Sequence, residues 1–490
     1  MCERQQWCDM TIRVESADQY VVNLRKRMPF HFGNVVVDEG AHLFLELSVD
    51  VDGRATDGIA QAGLAPMWFL KDPDLSLVEG IESLLDVFGT AWEAALDVEA
   101  NTAFGFWQAL YDHQREWAAD TDYPPLFWNY GVSLVEQAVV DAVCRANETT
   151  FAAAVRDGTL GFDPGLIYDD LAGETPADLL PDDPCRSTAL RHTVGLDDPL
   201  VDADLAAGDR LDDGLPQTLA DYIERDGIDH FKIKLSADVD RDATRLREIR
   251  AVVEDRLDDY AFTLDANEQY GSAGTFAEQW ATLVDAPGLD GFFDRLRYVE
   301  QPLSRDEAFT DEARRVLTDW EGPPVIIDES DARPDSLGRA LDCGYAGTSH
   351  KNCKGVFVGV ANRCLVEYRR QHADGEFVIS GEDLTTLGPV ELVEDLAVMA
   401  TIGADDVERN GHHYYRGLSM FPESLQGAVG SEHGDLYRRH DDGFTALAVE
   451  EGRIAFGSVT DAPFGRRVTP PFDDEAFVPL DEWDPASVRA

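Results

Sequence analysis

Phe231-Lys232-Ile233-Lys234-Leu235 is a short apolar run carrying two lysines, and the fold follows from what recurs around it. Alternation along a strand puts Lys232 and Lys234 on the same face. The run belongs to a series: His192–Leu196, Phe231–Leu235, Ala261–Asp265, Leu296–Glu300, Val325–Asp328, Gly347–Lys351, Glu376–Ser380 and Asp406–Asn410. Each is followed by a polar–apolar stretch long enough for a helix, the rhythm of strand–loop–helix units in a parallel sheet. Eight such units predict an α/β closed barrel, whose chemistry sits at the C-terminal ends of its strands. Those ends are charged: Lys232-Ile233-Lys234, Asp265-Ala266-Asn267, Glu300-Gln301-Pro302, Asp328-Glu329-Ser330 and Lys351.

Lysine is rare elsewhere. Of 41 Lys+Arg only six are lysines, and besides these two clusters (Lys232, Lys234; Lys351, Lys354) they are Lys26 and Lys71. Arginine is always charged, whereas a lysine can lose its proton when desolvated, so retained lysines mark where proton chemistry is expected. Against these cations stand 95 Asp+Glu, a net charge of −54 spread along the whole chain. Self-repulsion on that scale suits a halophile's salt-rich cytosol, where screening over about 3 Å at about 1 M removes most of its cost. A hydrophobic content of 44% argues for packed cores over disorder. No basic stripe exists for nucleic acid, so phosphate-backbone binding is disfavoured.

At 490 residues, two domains are expected. Residues 10–60 read as strands (Thr11–Val14, Gln19–Asn23, Leu43–Val51, with a hairpin turn at Asp52-Gly53), and 75–155 as helices such as Leu77–Phe88 and Leu134–Cys144. Ala172–Asp183 reads as a surface connection. Seven cysteines without a CxxC pair fit free thiols in a reducing compartment. Neither a signal segment at Met1–Gln6 nor a long apolar run is found, so a cytoplasmic protein without a membrane partner is expected.

Three carboxylates from successive strands, Asp265, Glu300 and Asp328, form a hard oxygen site that suits Mg²⁺. A cation there would hold an anionic substrate and offset charge developing when a proton leaves the carbon beside a carboxylate, as an enediolate forms. A lysine near that cation and a second ammonium would have its pKa lowered into the range of a working base. Lys234 and Lys351, across the barrel mouth, could then serve opposite faces of a small-molecule carboxylate.

This ordered set, Lys-x-Lys, Asp, Glu, Asp, then Lys-x-x-Lys-Gly, resembles the enolase superfamily, and within it the mandelate racemase/muconate lactonizing enzyme family. The resemblance covers about 190 to 425. It implies a (β/α)8-type modified TIM barrel over 189–425 and an N-terminal α+β capping domain over 1–188. It also implies a segment, 426–490, packing back on that domain. It further implies Asp265, Glu300 and Asp328 as metal ligands, Lys234 and Lys351 as acid/bases, and Lys232 as neutralising the substrate carboxylate, with Asn267 and Lys354 in support. The absence of His from the strand-seven end, Ser380-Gly381-Glu382-Asp383, matches the muconate-lactonizing arrangement. Met28–Gly33, with His31, and Gln61–Phe69, with Trp68, fall where that family has substrate loops.

The strand-eight stretch Glu408–Tyr414 departs from the family pattern, and His412 or His413 is a candidate substrate contact. His350 should face away from Lys351, and Cys353 is expected to be a buried thiol. The expected activity is racemisation, epimerisation or cycloisomerisation. A lyase of the acid-sugar dehydratase or ammonia-lyase type, using His412 or His413 as acid, is the alternative, and a non-catalytic binding barrel is a third reading. A Schiff-base aldolase would not need three converging carboxylates. Self-association into a homo-oligomer is also expected. The salt-adapted surface has a direct check: the melting temperature should climb as KCl is raised from low ionic strength to molar concentration, and a flat response would refute it.

Overall fold

A computed structural model of the chain describes residues 10–32, 35–72 and 74–489, with the side chains of 30–37 and 489 outside the described set. The N-terminal sheet is antiparallel, with β1 (Ile12–Phe32), β2 (Val35–Val51) and β3 (Arg54–Gly63) in order and β4 (Glu99–Ala100) also paired to β1. Asp52 and Gly53 turn β2 into β3 with φ of 55° and 77°, the two left-handed residues that match a hairpin's twist. Helices Leu77–Ala95, Ala103–Ala118 and Pro125–Ala146 cover the sheet. The first begins in a capping box, Ser76 with Glu79, which satisfies amide groups the first turn leaves open. The third is buried almost all round, wedged between sheet, neighbouring helices and barrel.

The second sheet is the barrel. Strands β5 (Ser187–Val194), β6 (His230–Lys234), β7 (Ala261–Asp265), β8 (Leu296–Glu300), β9 (Val325–Ile327), β10 (Gly347–His350), β11 (Val378–Gly381) and β12 (Asp406–Glu408) are all parallel. β12 returns to β5 through Asp406↔Ala189, Val407↔Leu190 and Glu408↔Arg191, which closes the ring. Register brings the charged ends level: Lys234 lies opposite Asp265, and Asp265 opposite Glu300.

Two elements differ from expectation in ways that have a physical cause. β5 starts at Ser187, five residues before the expected His192, because its polar first residues pair antiparallel with β15 (Arg453–Ala455), a partner far away in sequence. β12 stops at Glu408 because Gly411–Tyr414 turns helical directly after it. Around these lie the hairpin β13 (Tyr437–Arg439) and β14 (Thr445–Leu447), and β16 (Val478–Pro479), which pairs with β1. The C-terminal segment thus joins both sheets. An aromatic cluster anchors its end, with Phe472 stacked on Tyr20 at 4.4 Å and Phe477 edge-on to Phe44 at 5.2 Å. Among the described residues no helix is long and apolar enough to cross a membrane.

β3 approaches helix Pro125–Ala146 so closely that a Cβ on Gly58 would lie 1.9 Å from the Ala138 carbonyl oxygen. Backbone cannot yield there as a flexible side chain could. Gly58→Ala should therefore cost about 1–3 kcal/mol of stability in denaturant unfolding; an unchanged midpoint would contradict this packing.

Candidate active site

The strand ends place their side chains as alternation requires. Lys232 points into the barrel and is 2% exposed, while Lys234, two residues on, reaches the mouth. The Lys232 ammonium meets Glu300, Glu382 and Glu408 at 2.9, 2.9 and 3.0 Å and Asp265 at 3.1 Å. Burial alone would lower its pKa, but these carboxylates, Asp265 and Glu300 foremost, outweigh burial and hold it well above the usual lysine value.

Lys234 donates to Asp265 Oδ2 at 2.6 Å and to Asn267 Oδ1 at 2.7 Å. Asn267, Glu268 and Gln301 have φ of 41°, 69° and 34°, a left-handed backbone directly after strands β7 and β8. Such residues need fixing by their surroundings. The Asn267 amide donates to Asp265 Oδ1 at 2.9 Å, and the Gln301 side-chain oxygen accepts from the Asp328 and Ser330 amides at 2.7 and 3.1 Å. The backbone strain thus serves to seat Asp265 and Asp328.

Lys351 follows β10 directly. Its ammonium lies 2.8 Å from Asp328 and 2.7 Å from Glu382, and 5.3 Å from the centre of the Trp68 ring in the capping domain. Burial lowers its pKa, but Asp328 and Glu382 prevail and hold it well above the ordinary value. With both carboxylates directed at it, Lys351 is an ammonium. Lys354 donates to the Ser349 carbonyl at 2.8 Å and sits 2.8 Å from Asp328. It braces that carboxylate from behind and does not line the cavity.

The carboxylate oxygens that converge within 4.8 Å of one another belong to Glu300, Asp328 and Glu382. Asp265 stands beside this set but is tied up by Lys232 and Lys234. Glu382 takes the third place because Arg191, 3.1 Å away, and Ser380 at 3.0 Å hold its other oxygen, turning it toward the barrel centre. Burial first, then the charges of Asp265 and Glu382, push the Glu300 carboxyl well above the usual range. A hard divalent cation would relieve that crowding, and three buried oxygen donors fit one.

One cavity opens above these groups. Lys232, Lys234, Asp265, Asn267, Asp328, Lys351, Glu408 and Asn410 form its floor, and Leu64, Met67, Trp68, Leu384 and Tyr415 give it an apolar roof and walls. Lys71 ties the capping domain to the barrel mouth through Glu268 and Glu329, the latter at 3.2 Å.

His412 and His413 do not reach the cavity. The helical turn Gly411–Tyr414 carries them into a buried cluster with His192 and Tyr222, where His413 Nδ1 lies 2.5 Å from the Tyr222 hydroxyl oxygen. Burial pushes His412 down to about 3, so it is neutral. Their expected substrate contact is thereby corrected. His350 bonds Asn352 at 3.1 Å and faces away from the cavity, and burial pushes the Cys353 thiol up. The side chain of His31 lies outside the described residues.

Residues 215–352 match the family model described as enolase C-terminal domain-like. The fold is that of the enolase superfamily. A Bradyrhizobium enolase complexed with magnesium and mandelic acid is 14% identical, with a TM-score of 0.56 over 92% of this chain and 97% of that one. The dipeptide epimerase of Enterococcus faecalis V583, complexed with Mg and L-Leu-L-Tyr, is 12% identical with a TM-score of 0.58, covering 92% and 99%. The N-succinyl Arg/Lys racemase of Bacillus cereus ATCC 14579 is 14% identical with a TM-score of 0.56, covering 92% and 98%. No curated protein sequence matches the chain.

Glu382 and Glu408 are the site residues that sequence reasoning left without a role. Both sit at strand ends, so the rule that found Asp265, Glu300 and Asp328 applies to them equally. The structure therefore distinguishes two ligand sets. Glu382→Gln should abolish the rise in melting temperature that Mg²⁺ gives over an EDTA control, and Asp265→Asn should retain part of it. The reverse pattern would restore Asp265 as the third ligand.

Proposed function

We propose that the chain is a Mg²⁺-dependent enzyme that removes the α-proton of a carboxylate substrate and returns it as an isomerase, by racemisation, epimerisation or cycloisomerisation. One observation carries this reading. Lys234 ends β6 and Lys351 follows β10, four strands apart in a ring of eight, and both line the same cavity. A carbon held between them has an amine or ammonium on each face.

Glu300, Asp328 and Glu382, with Asp265 adjacent, would hold the cation, which when bound supplies positive charge where the substrate carboxylate gains electron density. The lysines do the rest. In one direction Lys234 Nζ takes the α-proton from one face and Lys351, an ammonium between Asp328 and Glu382, gives a proton to the other. Lys232 keeps the carboxylate cluster neutralised below, and the Trp68 and Tyr415 rings exclude water above. Racemases and epimerases among the similarly folded proteins support this choice. The lyase alternative loses its proposed acid, since His412 and His413 lie off the cavity. A cytoplasmic, salt-adapted homo-oligomer divided at about 188 and 425 belongs to the same proposal.

Solvent-deuterium exchange at the α-carbon tests it. Lys351→Ala should lose exchange on one face by about 10²–10⁴-fold and keep it on the other, with Lys234→Ala showing the opposite preference. Exchange intact on both faces in either variant would sink the two-base reading.

A further inference from the structure

We infer that the substrate carries a second anionic group and that Lys26 receives it, so that the cavity takes a dianionic acid with an apolar body. This rests on the proposed function only for which end of the substrate reacts.

Lys26 lies on β1 where pairing with β2 shifts register between Arg25 and Phe30, and it lines the same cavity as Lys234 and Lys351. The irregularity frees its side chain from the regular in-and-out alternation of the sheet. Five of the chain's six lysines have carboxylate partners within the site. Among the described residues, Lys26 makes neither an ion pair nor a hydrogen bond, and its ammonium rests 5.4 Å from the centre of the Tyr415 ring. Burial pushes its pKa down to about 8, with Asp38 opposing, so it is still charged at neutral pH. A half-buried cation with no carboxylate in direct contact is costly, and an anion that reaches it gains a charge-assisted hydrogen bond.

The neighbouring polar groups do not compete for that anion. His42 is bonded to Gln61 at 2.7 Å and lies 3.3 Å from Glu391, and burial pushes it down to about 3. Glu39 lines the cavity but forms no ion pair with Lys26. The cavity that Lys26 shares with the reacting lysines is also lined by Leu64, Met67, Trp68 and Tyr415, with Tyr415 beside Lys26 and Trp68 beside Lys351, which suits a hydrocarbon or aromatic spacer.

Calorimetric binding with Mg²⁺ present decides the matter, using the straight-chain dicarboxylates from glutarate to suberate and their monoamides. The wild-type protein should bind at least one dicarboxylate about tenfold or more tightly than its monoamide, the order expected of one charge-assisted contact. Lys26→Met should erase that difference, and Lys26→Arg should keep part of it. Equal affinities, no binding of either acid, or a preference that survives Lys26→Met would overturn the assignment. α-Proton exchange with the bound dicarboxylate is read separately: its absence would tell against the acid/base chemistry and leave the Lys26 assignment standing.

Discussion

The contact on which the site depends is the buried Lys232 ammonium among Asp265, Glu300, Glu382 and Glu408. Four carboxylates in a water-excluded barrel repel one another and lose hydration; without a central cation most would take up protons. A single lysine at 2.9–3.1 Å from each works against that: despite burial, Asp265 and Glu382 are held below the usual carboxylate range, while Glu300 stays above it. Removing one partner from such a buried network typically costs about 3–5 kcal/mol, because the remaining charges stay uncompensated. The barrel register that sets Lys234 beside Asp265 and Asp265 beside Glu300 is thus held by electrostatics at its mouth as well as by backbone pairing. Two of these carboxylates, Glu300 and Glu382, also belong with Asp328 to the oxygen set that fits a divalent cation.

The barrel was legible because its two signals agree: apolar runs of strand length, and charge at their ends. Ala261–Asp265 and Leu296–Glu300 match to the residue. The first strand was not legible in full. Ser187–Ala189 has a weak apolar pattern and is made into strand by Arg453–Ala455, a pairing no local reading can see. The His412–His413 pair failed for a related reason. Their chemistry suggests a site, but a four-residue helical turn after β12, closed by tertiary contacts with Tyr222 and His192, decides where they point. Glu382 was present in the sequence at a strand end, yet its turn to the centre depends on Arg191, which reaches it from β5, together with Ser380 on its own strand.

Arginine and lysine divide the work of this acidic chain along physical lines. Buried arginines fix geometry: Arg191 spans Ser380, Gly381 and Glu382, Arg409 joins Thr386 to Asp395, and Arg466 reaches Asp141 from the C-terminal segment. A planar fork of five donors suits that task and keeps its charge permanently. Lysine occurs only at the barrel mouth and in the cap above it. Four lysines come from the barrel strands and their ends, Lys71 ties the cap to Glu268 and Glu329, and Lys26 reaches the same cavity from β1.

That distribution links surface adaptation to the chemistry below it. An ammonium is a compact point charge with three rotatable donors, so it fits among several carboxylates where a guanidinium plane would not. It can also release a proton when its surroundings change. Asp328 and Glu382 hold Lys351 charged, and both belong to the oxygen set that fits a cation. The proton on Lys351 and the occupancy of that oxygen set are therefore not independent quantities. A cation drawing on these two shared carboxylates would weaken their hold on the Lys351 proton. An arginine at the same position would hold its charge whatever the neighbours bound.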